Sequence, residues 1–486
     1  MAKRIDRYKT AIHRDRLSIP MKTLWKLGFF EHNYSALDYG CGHGDDVSIL
    51  REHHIPINGW DPHFFPDAPV ASADIVNLGY VVNVIENVKE RRQVIQKAFA
   101  LAKRVLCIAV MLDGQGQYQN PTPYNDGFIT NRNTFQKYYT QNSFKAFVED
   151  CLGIEVVSIA PGVVFAFANQ TLEQEFLFEK QHKARAQGNL YSLDKLRNKL
   201  KWTEYHELAQ DFWAACLHFV RLPTPSEYPR YQEVKEKLGE PKKALAYLLS
   251  INDEGVFEQA KQHKREDILV YLALNCFHKR QSFNALPSYL KKDIKSLFGS
   301  YKQALSLGEK LLYQIGDKPK IASAIESAES QGLGVSDPSK FVLAQSRLNE
   351  LPVLLRVYIG CTSILYGEAM DADLICLYRH SAKIALRTYA DFSQRIPVLQ
   401  EAAYVDLYRQ RINFVSYEGR ATAKRLYLKS RWMVPGEADY EQQVKFDTIL
   451  RRYVPGEDLH SDFPPEEVIE AMPKSHKRKF EKALGG

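Results

Sequence analysis

No stretch of about 18 consecutive apolar residues occurs in the 486-residue chain, so a membrane-spanning helix is not expected. Cysteine is sparse, with seven residues, no Cys-x-x-Cys pair and no spacing that suits zinc. These read as reduced thiols of a cytoplasmic protein, which argues against a disulfide scaffold and leads us to expect no metal. The opening MAKRIDRYKT has no apolar core of the kind a secretory leader needs, which again points to the cytoplasm. Internal repeats and low-complexity linkers are missing too. A large charge imbalance is also absent: 65 Lys and Arg against 58 Asp and Glu leave +7, too little for bulk charge to name a partner. Placement says more. Residues 1 to 30 hold eight Lys or Arg against two Asp, and KSHKRKFEK from Lys474 to Lys482 is a second basic cluster. Such segments suit DNA or RNA, whose phosphates reward added cations, and a solubilising terminus explains them equally well.

What is present is an alternation of short apolar runs and helical periodicity from residue 36 to about 170, the pattern of an α/β layer fold. Strands are expected at Ala36 to Tyr39, Pro56 to Trp60, Asp74 to Val84 and Arg104 to Leu112, and helices at Asp45 to His54, Lys89 to Lys103 and Thr134 to Leu152. A hairpin is expected around Ala160-Pro161-Gly162. Residues 180 to 225 read as a charged helical connector, and 226 to 345 as helical. Beyond 351 one apolar helix, LPVLLRVYIGCTSILYG, mixes with strand-like runs such as ADLICLYRH and AKIALRTYADF. The back half offers no catalytic motif; Arg356, Tyr358 and Asp373 are explained as well by core pairing as by function.

The stretch ALDYGCGHGDDVSIL carries the first chemical signal. Gly40, Gly42 and Gly44 lie between a strand and a helix, where glycine lets backbone press against a nucleotide-like ligand. A dinucleotide fold wants G-x-G-x-x-G and a pyrophosphate at the helix N-terminus. Here the spacing is G-x-G-x-G followed by Asp45 and Asp46, which repel a pyrophosphate and tolerate a sulfonium or ammonium. That favours S-adenosylmethionine over NAD. Asp61 in INGWDP, at the end of the second strand, is placed to accept both hydroxyls of an adenosine ribose. Cys41, His43, Asp45 and Asp46 together do not make a metal site, because ligands so close on a tight turn diverge. In SADIVNLGYVVNVIEN, residues Asn77, Gly79, Tyr80 and Asn83 bring polar groups to the carboxyl edge of the third strand, where α/β sheets bind ligands. Asn77-Leu78-Gly79-Tyr80 resembles the [D/N]-P-P-[Y/F] signature of DNA amino-methyltransferases but lacks both prolines. The alternative is that Asn77 and Gly79 line the adenine pocket while Tyr80 packs.

Expected cofactor contacts are therefore Asp38, Tyr39, Gly40, Cys41, Gly42, Gly44, Asp46, Asp61, Pro62, Asn77, Leu78 and Gly79. Tyr80, Asn83 and Asp126 are the candidate catalytic groups. DGFITNRNTFQKYYTQ is expected to cap the pocket, with Arg132, Phe135, Lys137 and Tyr138 as an aromatic and basic set for stacking bases and pairing phosphates. Aromatics at helical spacing serve equally as core.

With these elements placed, the front half resembles a class I S-adenosylmethionine-dependent methyltransferase. The whole chain resembles the DNA phosphorothioation-associated methyltransferases of bacteria. The phrases that carry this are YKTAIHRDRLSIP, LDYGCGHGDD, GWDP, DIVNLGYVVNVIEN with ERR, DGFITNRNTFQKYYTQ, SIAPGVVFAF, DIKSLFGSY and LLRVYIGCTSILYGEAMDADLI. The resemblance implies an S-adenosylmethionine site at Asp38, Gly40, Gly42, Gly44 and Asp61, with Asn77 near the adenine. It also implies DNA and proteins of a phosphorothioation system as partners. It brings no methyl acceptor with it. Only twelve residues separate Asp61 from Asp74, too few for the helix, strand and helix that the broader methyltransferase pattern has there.

The expected architecture is a class I methyltransferase Rossmann-like α/β sheet followed by a mostly helical α+β C-terminal region. The expected partition is a basic segment at 1–35, a cofactor-binding domain at 36–175, a helical connector and domain at 176–345, and an α+β domain with a basic tail at 346–486. An active methyltransferase on DNA competes with a cofactor-binding regulatory or scaffold subunit of a modification complex. RNA or a small molecule is a third class of acceptor.

Overall fold

The computed structural model describes residues 5–31, 34–113, 121–181, 205–252, 254–278, 282–366, 372–417, 424–437, 439–452 and 472–483. Contacts divide the chain into two compact units. One comprises Met1–Asn169 with Ala322–Leu351 and Ile359–Gly486; the other comprises Gln170–Ile321 with Pro352–Tyr358. The sequence pattern placed its boundaries at 35, 175 and 345, as a linear partition; the contacts instead group the C-terminal sheet with the N-terminal one.

The first unit contains a Rossmann-like α/β sheet, as expected. Its strands are β1 (Ala36–Tyr39), β2 (Ile57–Trp60), β3 (Ala73–Gly79), β4 (Ala102–Ala109), β8 (Val157–Ala160) and β9 (Val163–Phe167), in the order β2-β1-β3-β4-β9-β8. The first four are parallel, and β9 runs antiparallel to both β4 and β8. From β1 the chain passes to β2 on one side and later to β3 on the other, so the strand order reverses at β1 and leaves a crevice at its carboxyl end. Parallel strands are covered on both faces and need continuous apolar runs. Val105, Leu106, Cys107, Ile108 and Ala109 accordingly have no exposed surface. Helices α1 (Ile19–Lys26), α2 (Asp45–Glu52), α3 (Val88–Leu101) and α4 (Gln141–Leu152) accompany this sheet. Asn87 starts α3 by accepting from the backbone N–H groups of Lys89 and Glu90.

Two boundaries differ from the sequence pattern. The expected strand to Val84 stops at Gly79, because Tyr80 turns the backbone into the left-handed region at φ 62°. The expected helix from Thr134 begins only at Gln141, behind a Thr140–Ser143 capping box. Phe135 and Gln136 instead form β7 of a small sheet with β5 (Thr122–Tyr124) and β6 (Gly127–Ile129).

The first unit also holds an antiparallel sheet of β10 (Val335–Ser336), β11 (Lys340–Ala344), β12 (Leu374–Tyr378), β13 (Lys383–Tyr389), β14 (Leu399–Asp406) and β15 (Arg411–Ser416), paired in that order. Phe414 of β15 packs on the core of the first sheet. Asp373 accepts from the Tyr389 N–H at 2.8 Å, a structural task. The basic tail forms the helix Lys474–Ala483.

The second unit is helical. The expected connector lies outside the described residues at 182–204; its remainder, helix His206–Phe219, buries Leu208, Phe212 and Trp213 and is core rather than linker. Arg356 pairs with Asp267 at 2.7 Å in the interior of this unit, which accounts for its charge. Among the described residues no helix is long and apolar enough to cross a membrane.

Candidate functional site

The loop after β1 does what its glycines suggest. Gly40 has φ 92°, and a Cβ added there would lie 2.4 Å from Cγ2 of Val81. The loop is therefore pressed onto the segment that follows β3, closer than any side chain permits. Its Gly40 and Cys41 N–H groups both donate to the Trp60 carbonyl, at 2.7 and 3.1 Å, which ties the loop to the end of β2. Asp61 follows directly. Its Oδ2 accepts from the Gly42 N–H at 3.1 Å, while Oδ1 accepts from the His63 and Phe64 N–H groups at 2.8 and 3.0 Å. The carboxylate thus closes its own turn and sits against the glycine loop. Gly44 is the residue from which α2 starts.

Around these residues lies a cavity of about 600 Å³. Of the expected cofactor contacts, Tyr39, Gly40, Cys41, Gly42, Asp46, Asp61, Pro62 and Gly79 line it. So does Tyr80, which its left-handed backbone lifts off the sheet at a conformational cost of about 1–3 kcal/mol. Val81, Val84, Ile85 and Val94 form an apolar side, and Glu90, Gln93 and Lys97 of α3 a polar one.

Asp38 and Asn77 stand just behind this lining. Asp38 is 4% exposed and accepts from Asn77 Nδ2 at 2.8 Å. Its pKa is pushed up to about 7, first by burial and then by the charge of Asp46, against the pull of Asn77 and Arg14. Asn77 Oδ1 is buried with no hydrogen-bond partner, an unmet acceptor at the crevice. Leu78, expected as a contact, is fully buried in the sheet core and does not reach the cavity. Burial pushes the Cys41 thiol up to about 12, so it stays protonated and is no nucleophile.

The other expected groups are elsewhere. Asn83 is 1% exposed, and its side chain is committed to backbone: Nδ2 donates to the Lys137 carbonyl at 2.6 Å, and Oδ1 accepts from the Met111 N–H at 3.0 Å. Asp126 pairs with the buried Arg91, which also donates to the Tyr139 hydroxyl at 2.8 Å. The Asp126–Arg91 pair ties the small sheet to α3, and Asn83 ties the segments around Met111 and Lys137 together, so the catalytic roles expected of Asn83 and Asp126 are not supported by their positions. Phe135 has no exposed surface, and a buried ring cannot stack on a base. Arg132 is exposed, Lys137 lies 3.9 Å from Asp126, and Tyr138 packs edge-on against Phe128. None of these four lines the cavity, so the segment is not the expected cap.

A strap from Asp6 to Ser18 covers the site in its place, and its role was not evident from sequence. Arg7 forms bidentate bonds to Glu86 and Glu90 at 2.6–2.9 Å. The Tyr8 ring stacks on His63 at 4.3 Å, and His13 stacks on His43 at 3.9 Å. Ala11 lies against Gly42, where an added Cβ would meet it at 3.2 Å. The Arg14 and Ser18 N–H groups donate to Asp45 and Asp46 at 2.7 and 2.8 Å. The two carboxylates that begin α2 therefore hold the strap. The only sequence signal was its basic character, which suggested a polyanion instead.

No family model and no curated relative matches the chain. Among solved structures it is similar to the sugar N-methyltransferase KedS8 from Streptoalloteichus sp ATCC 53650, at TM-score 0.25 and 11% identity over 32% of this chain and 96% of that one. It is similar to the PH0226 protein from Pyrococcus horikoshii OT3, at TM-score 0.23 and 12% identity over 30% and 87%. A third is the magnesium protoporphyrin IX methyltransferase ChlM from Synechocystis PCC 6803 with bound SAH, at TM-score 0.21 and 10% identity over 33% and 92%.

Proposed function

We propose that the first unit is a class I S-adenosylmethionine-dependent methyltransferase acting on DNA, in a bacterial system linked to phosphorothioation. One observation carries the methyl-donor reading: the glycine loop and the Asp61 carboxylate meet at the carboxyl ends of β1 and β2 and line one cavity. The residues suit that donor. Gly40 and Gly42 of the loop line the cavity without side chains, Asp61 Oδ2 has one lone-pair site left for a ribose hydroxyl, and the buried Asn77 Oδ1 lacks a donor. When bound, S-adenosylmethionine supplies a methyl group on a sulfonium, which an acceptor takes in one in-line displacement.

The chain's own residues then have three tasks. Asp61 and the glycine loop fix the sugar end. Val81, Val84, Ile85 and Val94 exclude water from the reacting side. Tyr80, the only one of the three expected catalytic groups in the cavity, borders the place where an acceptor enters and orients it. DNA as acceptor rests on the family resemblance and on the basic segments; Arg7 and Arg14 are drawn into the site and no longer count as a free basic arm.

A second reading, a donor-binding scaffold subunit, is favoured by the commitment of Asn83 and Asp126 to structural bonds. The test is calorimetric titration with S-adenosylmethionine, followed by labelled-methyl transfer to DNA from a strain lacking the gene. We expect binding and labelled DNA. Binding with unlabelled DNA supports the scaffold, and no binding ends both readings.

A further inference from the structure

Arg14 is the charged group of the cavity to which the site described so far gives no task. Arg7 is held by Glu86 and Glu90, and Lys97 is exposed on α3. Arg14 is half-buried, and its guanidinium lies 5.9 Å from the centre of the Tyr80 ring. Its side chain makes no ion pair or hydrogen bond among the described residues. Its main chain is nonetheless fixed, since the Arg14 N–H donates to Asp45 at 2.7 Å. A guanidinium delivered to one place by a fixed backbone, with no direct ion pair or hydrogen bond to its side chain, is a prepared anion receptor.

What faces it identifies the anion. Asp46, at the start of α2, lines the same cavity; Asp38, on β1, stands just behind that lining, and Arg14 is close enough to stabilise its charge. One cation grouped with two buried carboxylates near the carboxyl end of β1 complements a zwitterion. The amino-acid portion of S-adenosylmethionine is such a group, an ammonium beside a carboxylate. Resting on the donor reading above, we propose that Arg14 binds the donor's carboxylate, so that the strap from Asp6 to Ser18 closes over a ligand that keeps its amino-acid end.

The test is isothermal titration of the full chain with S-adenosylhomocysteine, S-adenosylmethionine and decarboxylated S-adenosylmethionine, using wild type, Arg14→Gln and Arg14→Lys. Wild type is expected to prefer the carboxylated ligands. Arg14→Gln is expected to lose about ten- to a hundredfold affinity for those two and less than about threefold for the decarboxylated one, with Arg14→Lys between. A non-additive cycle of this kind isolates the pair from general damage to the site. Equal loss for all three ligands, or no loss, overturns the assignment while leaving the donor reading in place. The same anion could come from an acceptor phosphate. In that case Arg14→Gln leaves donor affinity unchanged and weakens binding of a short DNA oligonucleotide, which also overturns the proposal. Wild type that binds none of the three ligands overturns the donor reading along with it.

Discussion

Replacing Asp61 tests the site most directly, because its two roles can be separated. As a carboxylate it accepts from three backbone N–H groups, those of Gly42, His63 and Phe64, and has one lone-pair site left, on Oδ2, for a ribose hydroxyl. A hydrogen bond to a charged group contributes about 1.5–3 kcal/mol, which is what one hydroxyl represents before screening. Asp61 is only half-buried, which puts the loss for Asp61→Asn at the low end of that range, about 1.5 kcal/mol or roughly tenfold in Kd. The amide oxygen can still serve His63 and Phe64, while the bond from the Gly42 N–H is lost because an amide nitrogen cannot accept it, so the turn should persist with a small drop in melting temperature. Asp61→Ala removes all acceptors; it should bind still more weakly and also melt lower, by roughly 2–4 °C per kcal/mol lost. Titration calorimetry and thermal melts of both variants decide the matter. An Asp61→Asn protein that binds S-adenosylmethionine within about threefold of wild type would refute the assignment of this carboxylate to the sugar.

Gly40→Ala should destabilise on two counts: about 1–2 kcal/mol for a side chain at φ 92° and about 1–3 kcal/mol for the overlap with Val81. A melting temperature lower by roughly 5–15 °C, partly restored by adding Val81→Ala, is the expected outcome. Asp38 should make stability depend on pH. Its folded pKa of about 7 lies above the ordinary 3.8, so the protonated form favours the fold; that contribution is complete below the ordinary value and is lost as pH rises through about 7. The loss is at most on the order of 4 kcal/mol. Denaturant titrations at intervals between pH 5 and 8 should show a falling term that Asp38→Asn removes, and parallel profiles for the two proteins would count against it.

The parts of the fold legible in the sequence are those whose causes are local. Ala36 to Tyr39, the glycines and Asp45 onward announce a strand, a turn and a helix within a few residues, and Asp61 follows a second short apolar run. What sequence did not disclose depends on partners far along the chain. Arg7 meets Glu86 79 residues away, and Arg91 meets Tyr139 48 residues away. Asn83 looks like an edge residue on a strand that continues to Val84; once Tyr80 turns the chain, the same amide points into backbone. Phe135, Tyr138 and Tyr139 sit at helical spacing, yet the helix starts only at Gln141; Phe135 belongs to the small sheet and Tyr139 to the core of the first one. In the antiparallel sheet β12 and β13 showed as apolar runs, whereas β15 alternates half-buried and exposed residues and was silent.

The twelve residues between Asp61 and Asp74 leave β2 at the margin of its sheet, with no further strand beyond it among the described residues. The strap that precedes β1 reaches the turn after β2, where Tyr8 stacks on His63, and Arg7 and Tyr8 border the cavity themselves. For anyone preparing the protein this has a practical side. Any change made between Asp6 and Ser18 also changes the wall of the cavity, so variants meant to probe the sheet side of the site have to keep this stretch intact.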